Sequence, residues 1–587
     1  MSSIVERLKN SIRGVFDGLG IVVKEIHLEH PEVPAHGDFS TNAALHYAKE
    51  AGKSPRELAD ILAEKLRAAG IMAVEKIEVA GPGFVNFRLS REFFSDAVKE
   101  ILKEGNNYGK SATRAGKKIM IEYTDPNPFK EFHIGHLMSN AIGESLARLL
   151  EFSGAEVKRA NYQGDVGLHV AKALLGKQER PELSWGEAYA YGAQNYEDYK
   201  KEVNELNEKI YQLCWGFSNE RDLSEIYNKG RYETTLAFEK IYEKLGMESK
   251  GPFGGRKDSV VNQHFDFYFK ESESGAIGKV IVQQNTPKVF EESDGAIVFH
   301  GEKYDPALHT RVFITSQGLP TYEAKELGLF KSKQGKFEPL YLSIVITGNE
   351  IRDYFKVVLK AAEQIDEIKQ LAEKTTHITH GMLRLPSGKM SSRTGDVITA
   401  EWLIEEAKKR IMEKMRDTEM PDKEKIVEEV AIGAIKYSIL KHTIGSDIIF
   451  DFDASLSFEG DSGPYLQYTH ARARSVLEKA TSDKRPARTT EVVQSGGQET
   501  RVVRQEDAET AVEQLLYQFP EVVSRADTER APQLVTTYLT KLAQTFNNFY
   551  AHERIVDSPY RLALAEATAT VLKNGLWILG IAAPERM

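Results

Sequence analysis

The stretch Lys118-Ile-Met-Ile-Glu-Tyr-Thr-Asp-Pro-Asn-Pro-Phe-Lys-Glu-Phe-His-Ile-Gly-His136 decides the fold of this chain. Its first six residues predict a strand, and the polar turn after them leads into an amphipathic helix with apolar residues at helical spacing. A strand, a turn and a helix N-terminus form a common anion-binding geometry, because free backbone N–H groups and the helix dipole face the ligand. The sequence therefore predicts a small-molecule site where this helix begins.

Two histidines, His133 and His136, stand at that helix start with Gly135 between them. Because Gly135 has no side chain, a flat ring such as adenine could press against the backbone there. A four-residue word of this kind also occurs by chance, and two histidines on a helix are often plain polar surface. The longer context decides between the two interpretations.

Length and composition set the class of protein. With 587 residues, the chain predicts three or four domains. Its content of 41% hydrophobic and 28% charged residues is that of a globular protein, and no apolar run is long enough to span a bilayer. The single cysteine, Cys214, excludes an intramolecular disulfide and a cysteine-rich zinc site, so we expect a cytoplasmic protein. The net charge of −10 argues only weakly against nucleic-acid binding, which depends on local patches.

The order of predicted elements indicates a multidomain α/β protein. Strand, helix and strand from Lys118 onward predict a doubly wound, Rossmann-type catalytic domain, with Thr310–Thr315 and Leu340–Thr347 as further buried parallel strands. β-like pieces are predicted near 278–299, and a polar surface loop is predicted over about 481–508. The predicted domains are an N-terminal α+β domain over 1–105, the catalytic domain over 106–400 with an insertion over about 172–310, a helical connector over 401–454 and an all-α C-terminal domain over 455–587.

A second informative motif, Gly388-Lys-Met-Ser-Ser-Arg-Thr-Gly-Asp396, follows the predicted nucleotide fold. Small hydroxyl residues, a lysine and an arginine on a glycine-flanked loop suit a phosphate clamp. Alone, such a motif is more often a solvated basic loop. Paired with His-Ile-Gly-His in this order and separation, it resembles the second signature of class I aminoacyl-tRNA synthetases, whose first signature holds ATP phosphates with both histidines.

Further motifs resemble one family within class I, the arginyl-tRNA synthetases. The catalytic motifs are Glu122-x4-Asn127-x2-Lys130-x2-His133, Asn161-Tyr-Gln-Gly-Asp165 and His380-Gly-Met382. The family's N-terminal and anticodon-binding domains are similar to segments at the two ends of this chain: Gly37–Asn42, Gly81–Phe87, Tyr465–Arg472, Phe546–Tyr550 and Glu585–Met587. The resemblance covers nearly the whole chain and is weakest over 172–310 and 481–508.

The resemblance implies an arginine–tRNA ligase that forms arginyl-adenylate from arginine and ATP and transfers arginine to the 3′-terminal adenosine of tRNA(Arg). It implies ATP with substrate-borne Mg²⁺, no tightly bound protein metal, no membrane association and a monomer. The residues it implies are His133, His136, Lys130 and Lys389 for catalysis; Gly135, His380, Met382, Met390, Ser391 and Ser392 for ATP; Glu122, Asn127, Tyr322, Glu326 and Glu350 for arginine; and Phe84, Asn86, Tyr465, Arg472, Tyr550 and Met587 for tRNA.

A guanidinium needs carboxylates or amides placed for paired hydrogen bonds, which agrees with the acids in this set. The chain departs from the family pattern at Glu326, usually aspartate, and at Glu350, often glutamine, so both departures concern amino-acid selection. It also has Ser392 where a second lysine is typical, and Lys130 then supplies that charge from the other side of the fold. Two alternatives stay open at this point: a class I synthetase for lysine, and a non-catalytic tRNA-binding paralogue.

Overall fold

The computed structural model describes residues 4–31, 33, 36–253, 261–386, 398–482 and 506–587. Within them, the chain forms two compact units. The first comprises Met1–Tyr108, Lys484–Gln518 and Asn548–Thr570, and the second comprises Gly109–Asp483, Phe519–Asn547 and Val571–Met587.

The N-terminal elements form a small α+β arrangement, as the sequence predicts. In chain order they are α1 (Ile4–Gly18), β1 (Phe39–Thr41), α2 (Ala43–Tyr47), α3 (Pro55–Ala69), β2 (Val74–Ala80), β3 (Phe84–Leu89) and α4 (Arg91–Glu104). The three strands pair antiparallel in the order β1-β3-β2, and the Gly-Pro-Gly turn joins β2 to β3. Apolar residues from one face of α1 and of α3 are buried against this sheet.

The middle of the chain holds the five-stranded sheet. Its elements are β4 (Lys118–Glu122), α5 (Ile134–Phe152), β5 (Glu156–Gln163), α6 (Leu168–Glu179), α7 (Trp185–Gln194), α8 (Lys200–Cys214), α9 (Arg221–Lys244), β6 (Phe267–Lys270), α10 (Glu271–Gln284), β7 (Glu291–Ser293), β8 (Ala296–His300), β9 (Thr310–Ile314), α11 (Tyr322–Lys333), β10 (Leu342–Gly348), α12 (Arg352–Ala362), α13 (Lys369–Glu373), β11 (Thr375–His380) and β12 (Leu383–Arg384).

Five of these strands form a parallel sheet in the order β11-β10-β4-β5-β6. The chain winds outward from β4 in one direction and returns to β10 on its other side, so the strand order reverses between β4 and β10. Ligands of doubly wound sheets bind in the crevice at the carboxyl ends of the strands at such a switch point. The predicted fold class is therefore confirmed, and the crevice lies where the turn after β4 leads into α5.

Two strand predictions are wrong. Residues 278–284, predicted as β-like, are the last two turns of α10. Their β-branched residues favour strands only weakly, and glycines that let α10 pack closely on α11 outweigh that preference. Thr310–Thr315, predicted as a buried parallel strand, contains β9, which pairs antiparallel with β8 and is exposed at its start. Apolar content alone does not distinguish the two kinds of strand.

After residue 400 the chain is mostly helical, as predicted. The elements are α14 (Ala400–Lys414), α15 (Lys423–Leu440), β13 (Ile448–Ile449), α16 (Phe452–Ser455), α17 (Gly463–Ser482), α18 (Glu506–Leu516), α19 (Phe519–Glu529), α20 (Pro532–His552) and α21 (Pro559–Ile578). Most of the loop predicted over about 481–508 lies outside the described residues, and its two described ends are helical. None of the helices in the described ranges is long and apolar enough to cross a membrane.

Helix α5 is buried almost all round, which fixes the direction of its N-terminus toward the crevice. Its Glu144 carboxylate has no exposed surface and accepts hydrogen bonds from Arg148 of the same helix (2.7 Å) and Arg159 of β5 (2.8 Å). The hydroxyl of Tyr123, just after β4, donates to the same carboxylate at 2.6 Å. A buried charge of this kind is tolerated because every oxygen is paired, and the network joins β4, α5 and β5.

Candidate active site

The two histidines of His-Ile-Gly-His cap helix α5 with their side chains. His133 is the N-cap residue, and its Nδ1 accepts hydrogen bonds from the N–H groups of Gly135 (3.1 Å) and His136 (3.3 Å). The Nδ1 of His136 in turn accepts from the N–H of His133 at 3.2 Å. The two rings stack with centroids 3.6 Å apart, so each holds the other in place.

This capping arrangement sets the protonation of both rings. Because each Nδ1 accepts a hydrogen bond, the ring proton of each neutral imidazole lies on Nε2. Burial, followed by the charge of Lys130, lowers the pKa of His133 to about 4. Burial and the neighbouring His133 hold the pKa of His136 well below its ordinary value. Both histidines are therefore neutral at pH 7, and each has an Nε2–H group to donate to an anion.

Gly135 is required by the same arrangement. A Cβ atom at this position would lie 2.9 Å from Cε1 and 3.0 Å from Nδ1 of His133, and that ring is held by its hydrogen bonds to the helix. The sequence offered a different reason for this glycine, namely access for adenine. The structure adds that a larger residue would displace the capping imidazole.

The chain that follows the predicted phosphate clamp pairs with the histidine segment. Ile134 N–H donates to the Ile398 carbonyl at 3.1 Å, and Ala400 N–H donates to the Phe132 carbonyl at 2.8 Å. His133 and Thr399 form a β-bridge. The clamp residues predicted from the sequence, Lys389, Met390, Ser391 and Ser392, lie outside the described residues.

An acidic cluster lies at the carboxyl end of β4. The carboxylate of Glu122 is buried and forms an ion pair with Lys333 Nζ at 2.9 Å. Burial and the charge of Glu122 raise the pKa of Asp125 well above its ordinary value. The same two causes raise the pKa of Glu326 to about 8, and the hydroxyl of Tyr354 donates to that carboxyl at 3.3 Å. Three carboxyl groups and one ammonium group therefore share a site that favours a further cation.

Asn127 and Tyr322 border this cluster. A Cβ atom on Gly164 would lie 2.0 Å from Asn127 Oδ1, so the turn after β5 approaches the amide closely because residue 164 is glycine. Tyr322 begins α11, is 57% exposed and stands one helical turn before Glu326. Lys325 Nζ lies 4.8 Å from the centroid of the Tyr322 ring.

Lys130 lies close to the histidine pair. It is half-buried, and its Nζ lies 4.7 Å from the centroid of the Tyr189 ring. Burial lowers the pKa of its ammonium group, while the charge of Glu271 raises it. Its own charge contributes to the lowered pKa values of His133 and His136.

His380 and Met382 lie at the end of the neighbouring strand β11. His380 is buried and its Nδ1–H donates to the Gly381 carbonyl at 2.8 Å; burial lowers the pKa of the ring. Met382 is 41% exposed, and its N–H donates to Asp447 at 2.8 Å. Glu350 is exposed in the turn after β10, and its charge raises the pKa of His380. The acids that raise the pKa of Glu326 are instead Glu122 and Glu271. Glu350 thus lies on the His380 side of the crevice.

The residues predicted to bind tRNA occur in both compact units. In the first unit, Phe84 is half-buried and Tyr550 is 38% exposed. Asn86 is only 8% exposed, and its Oδ1 accepts a hydrogen bond from Ser40 at 2.8 Å. In the second unit, Tyr465 and Met587 are half-buried. Arg472, also in the second unit, donates to Asn547 at 2.6 Å and covers the Tyr468 ring at 4.7 Å.

Sequence reasoning missed Asp125, Lys333 and the buried ion pair between Lys325 and Glu271 (2.6 Å). Asp125 was detectable, since it stands two residues before Asn127 in the same turn. Its backbone has φ +42°, and the preceding Thr124 has φ +76°, which holds the turn in a conformation that these residues rarely adopt. Lys333 carries no such local signal, because its pairing with Glu122 joins residues that are distant in sequence.

Comparison with known proteins agrees with this geometry. The family described as "tRNA synthetases class I (R), catalytic domain" matches residues 97–452, the "Arginyl tRNA synthetase N terminal domain" matches residues 2–89, and the "DALR anticodon binding domain" matches residues 466–587. The arginine–tRNA ligase of Treponema denticola is 30% identical over 581 residues, covering 95% of this chain and 94% of that protein. The arginine–tRNA ligase of Pyrococcus abyssi is 29% identical over the full length of both chains. The solved arginyl-tRNA synthetase of Thermus thermophilus is 25% identical, with a TM-score of 0.76 and full coverage of both chains.

Proposed function

Since the chain belongs to the arginyl-tRNA synthetase family, we propose that its histidine pair and its acidic cluster form one active centre with separate duties. As an aminoacyl-tRNA ligase of class I it uses ATP, arginine and tRNA to make arginyl-tRNA. The observation that carries the proposal is the turn after β4, which has the acids at its start and both Nε2–H donors at its end.

The first duty is activation of arginine. The arginine α-carboxylate attacks the α-phosphorus of ATP, the bond to the β-phosphate breaks, and pyrophosphate leaves with the bonding electrons. His133 and His136 donate Nε2–H hydrogen bonds to phosphate oxygens, and Lys130 and Lys389 balance the charge that develops on them. Mg²⁺ enters with ATP. Because both rings are neutral and fixed by the helix, they need no reorganisation before the reaction.

The second duty is selection of arginine. Glu122, Asp125 and Glu326 supply carboxyl oxygens for the two cationic ends of the substrate, and Asn127 supplies an amide oxygen. Tyr322 covers the aliphatic stem. Because Lys333 already neutralises Glu122, Glu326 and Asp125 are left to balance the guanidinium. Glu350, on the His380 side of the crevice, is proposed to contact the α-amino acid end of the substrate.

The adenine of ATP is proposed to bind between Gly135 and the segment of His380 and Met382. Met390, Ser391 and Ser392 are proposed to close on the phosphates. In the transfer step, the 2′-hydroxyl of the terminal adenosine attacks the carbonyl carbon of the adenylate, and AMP leaves. Contacts with the rest of the tRNA are proposed for Phe84, Asn86, Tyr465, Arg472, Tyr550 and Met587. We further propose a monomer that works in the cytoplasm.

The test is aminoacylation of mixed tRNA with each amino acid in turn. The proposal expects arginine to be esterified to tRNA and lysine to be rejected, because several carboxyl groups can pair with the several donors of a planar guanidinium, and a lysine ammonium presents no such planar fork. Esterification of lysine would contradict this account of selection. Tight tRNA binding without any adenylate would instead support the non-catalytic alternative.

A further inference from the structure

Helix α11 carries an unusual set of charges beside the proposed arginine site. Five of its residues have charged side chains: Glu323, Lys325, Glu326, Lys331 and Lys333. Four of the five form ion pairs, namely Glu323 with Arg311 (3.0 Å), Lys325 with Glu271 (2.6 Å), Lys331 with Glu367 (3.0 Å) and Lys333 with Glu122 (2.9 Å). Among the residues that the structure describes, Glu326 is the one member of the set without an ion-pair partner, so it is the charge that α11 leaves for a ligand.

Two of these ion pairs are enclosed in the protein. Lys333 is 4% exposed and its partner Glu122 is 2% exposed, and Lys325 and Glu271 are also buried. Glu326, in contrast, is half-buried, so a ligand can reach its carboxyl group. Burying an ammonium or a carboxylate group alone is costly, and the protein tolerates both because each neutralises the other. Helix α11 therefore supplies its own buried cation both before and after Glu326.

The ion pair of Lys333 and Glu122 lies behind the acidic cluster. Lys333 stands seven residues after Glu326, which is close to two helical turns, so the two residues share a face of α11. Glu122 is the last residue of β4, and Asp125 follows it in the turn. Asp125 and Glu326 are half-buried, whereas Glu122 and Lys333 are buried. A ligand that enters the cluster therefore meets Asp125 and Glu326 first.

This ion pair removes standing negative charge from the empty cluster. Burial, followed by the charge of Glu122, raises the pKa of Asp125 well above its ordinary value and the pKa of Glu326 to about 8. Glu326 is therefore largely protonated near pH 7, and the charge of Glu122 is balanced by Lys333. A cation gains little from charge that is already present. It must form hydrogen bonds good enough to ionise a carboxyl group.

Such a site can distinguish arginine from lysine, which charge alone cannot do. Both amino acids are cations at pH 7, and an unpaired buried carboxylate would attract either of them. A guanidinium presents five N–H donors in one plane and can bind two carboxyl groups at once, whereas an ammonium is a compact, strongly hydrated point charge. Neutralising the deepest carboxylate therefore removes an attraction that both substrates share and keeps the contacts that favour the guanidinium.

We propose that Lys333 is a positioning residue for amino-acid selection, whose permanent ion pair with Glu122 makes the arginine site reject lysine. Lys333 does not contact the substrate and acts through Glu122. It leaves the binding of the cation to Asp125 and Glu326, which a planar group with several donors engages together. This inference deepens the proposed function and rests on it, because it requires that arginine binds at this cluster.

The experiment measures pyrophosphate exchange, with tRNA present, for arginine and for lysine. Lys333→Met keeps the length of the side chain and removes its charge. It should lower the ratio of kcat/KM for arginine to kcat/KM for lysine roughly 10- to 150-fold, the effect of one charge-assisted hydrogen bond. Lys331→Met removes the ammonium of an ion pair on the same helix whose side chain is 42% exposed, and it should keep the wild-type ratio. A purely structural role of Lys333 predicts equal losses for both amino acids and hence no change in the ratio.

Two further variants keep the test valid if Lys333→Met does not fold. Lys333→Gln retains a hydrogen-bond donor for Glu122 and removes only the charge, so it should also lower the ratio. Lys333→Ala removes the side chain beyond Cβ, and n-propylammonium has the atoms that replace it from Cγ to Nζ. Added n-propylammonium should restore the preference of this variant for arginine, whereas 1-propanol, which carries no charge, should not.

An unchanged ratio in Lys333→Met and Lys333→Gln would overturn the proposal. Rescue of Lys333→Ala by 1-propanol as well as by n-propylammonium would also overturn it, because the volume of the side chain and not its charge would then decide selection. Failure of the proposed function has a different signature: the wild-type protein itself would show no arginine-dependent exchange with tRNA present, or would accept lysine as readily as arginine.

Discussion

His133 and His136 cap helix α5 with the same rings that we propose to bind phosphate. Each Nδ1 satisfies backbone N–H groups at the start of α5, and that bond leaves the proton on Nε2, where a phosphate would approach. The sequence predicted that both histidines stand at the start of a helix, and their binding of phosphate stays a prediction. It could not predict the tautomer, because that depends on which backbone groups the rings contact in three dimensions.

Lys130→Ala is expected to slow adenylate formation by orders of magnitude, with little change in arginine affinity. The reason is loss of a cation beside the histidine pair, since stabilisation of this kind is often worth ~2.7–4 kcal/mol. Arginine-dependent pyrophosphate exchange in the presence of tRNA measures the effect. Ser392→Lys in the same background should restore part of the rate. Lys172→Ala removes another lysine that covers a tyrosine ring and serves as the control. Normal exchange by Lys130→Ala would contradict the assignment.

Glu326 should make arginine binding depend on pH. Its raised pKa means that the carboxyl is largely protonated in the empty site below about pH 8 and ionises above it. Arginine prefers the ionised form, so the KM for arginine should fall as the pH rises from 6.5 to 8.5, through the raised pKa of this carboxyl. Glu326→Gln should flatten this profile. It should also weaken arginine binding by roughly 1.5–3 kcal/mol of binding free energy, seen as a higher KM. A KM for ATP that follows the same profile would place Glu326 outside the arginine site.

At the scale of elements, the close packing of α10 on α11 positions the proposed arginine site. A Cβ atom on Gly278 would lie 1.8 Å from the Ala324 carbonyl oxygen, and one on Gly328 would lie 1.8 Å from the Ser274 carbonyl oxygen. The two backbones approach this closely only because both residues are glycine. Tyr322 and Glu326 are carried on α11, so the spacing of the two helices fixes their distance from β4.

Gly328→Ala is expected to destabilise the protein and to raise the KM for arginine. The added methyl group forces the helices apart, and overpacking of this kind typically costs about 1–3 kcal/mol, occasionally more. Thermal unfolding and arginine kinetics measure the two effects. Gly14→Ala in α1 has nothing within 4 Å of the added Cβ and is the matched control. It should leave the KM unchanged and stabilise helix α1 by up to ~1 kcal/mol. Equal effects of the two substitutions would contradict the account.

Elements with strong local signals were predictable, and those defined by tertiary packing were not. The unit β4–α5–β5 combines two apolar strands with a helix that begins at a polar turn. The spacing of its apolar residues and the residue types in its turn therefore predict the same elements. In α10, Val280, Ile281 and Val282 favour a strand locally, but packing against α11 makes them helical. Likewise, the ion pair between Glu122 and Lys333 forms because the fold brings β4 and α11 together. These elements are far apart in the sequence, so no local pattern predicts the pair.

At the scale of the molecule, residues with proposed tRNA contacts occur in both compact units. Within the second unit, the C-terminal segment is held on α17: Gln467 Nε2 donates to the Ala582 carbonyl at 3.0 Å, and His470 Nδ1 donates to the Pro584 carbonyl at 2.9 Å. Met587 follows this anchored segment and is half-buried. Its position is consistent with a contact that tRNA completes.

Deletion of Met587 alone should raise the KM for tRNA and leave the KM for arginine unchanged. The anchoring hydrogen bonds all lie before this residue, so the thermal stability should not change. Met587→Leu keeps an apolar side chain of similar volume and should behave like wild type. An unchanged KM for tRNA after the deletion would exclude Met587 from the tRNA-binding surface, and a loss of folded protein would show that it is a core residue.

The central claim, one active centre with separate duties, is tested most directly by comparing His133→Asn with Glu326→Gln in single-turnover adenylate formation. Asparagine can still cap α5 with its side-chain oxygen but has no group at the position of Nε2. We therefore predict that His133→Asn has the thermal stability and the arginine affinity of wild type. Its activation free energy for adenylate formation should rise by ~2.7–4 kcal/mol, which slows the reaction. Glu326→Gln should show the converse, with weakened arginine binding and a nearly normal rate at saturation. If His133→Asn instead weakens arginine binding at a normal rate, or if Glu326→Gln lowers the saturated rate alone, the division of duties is contradicted.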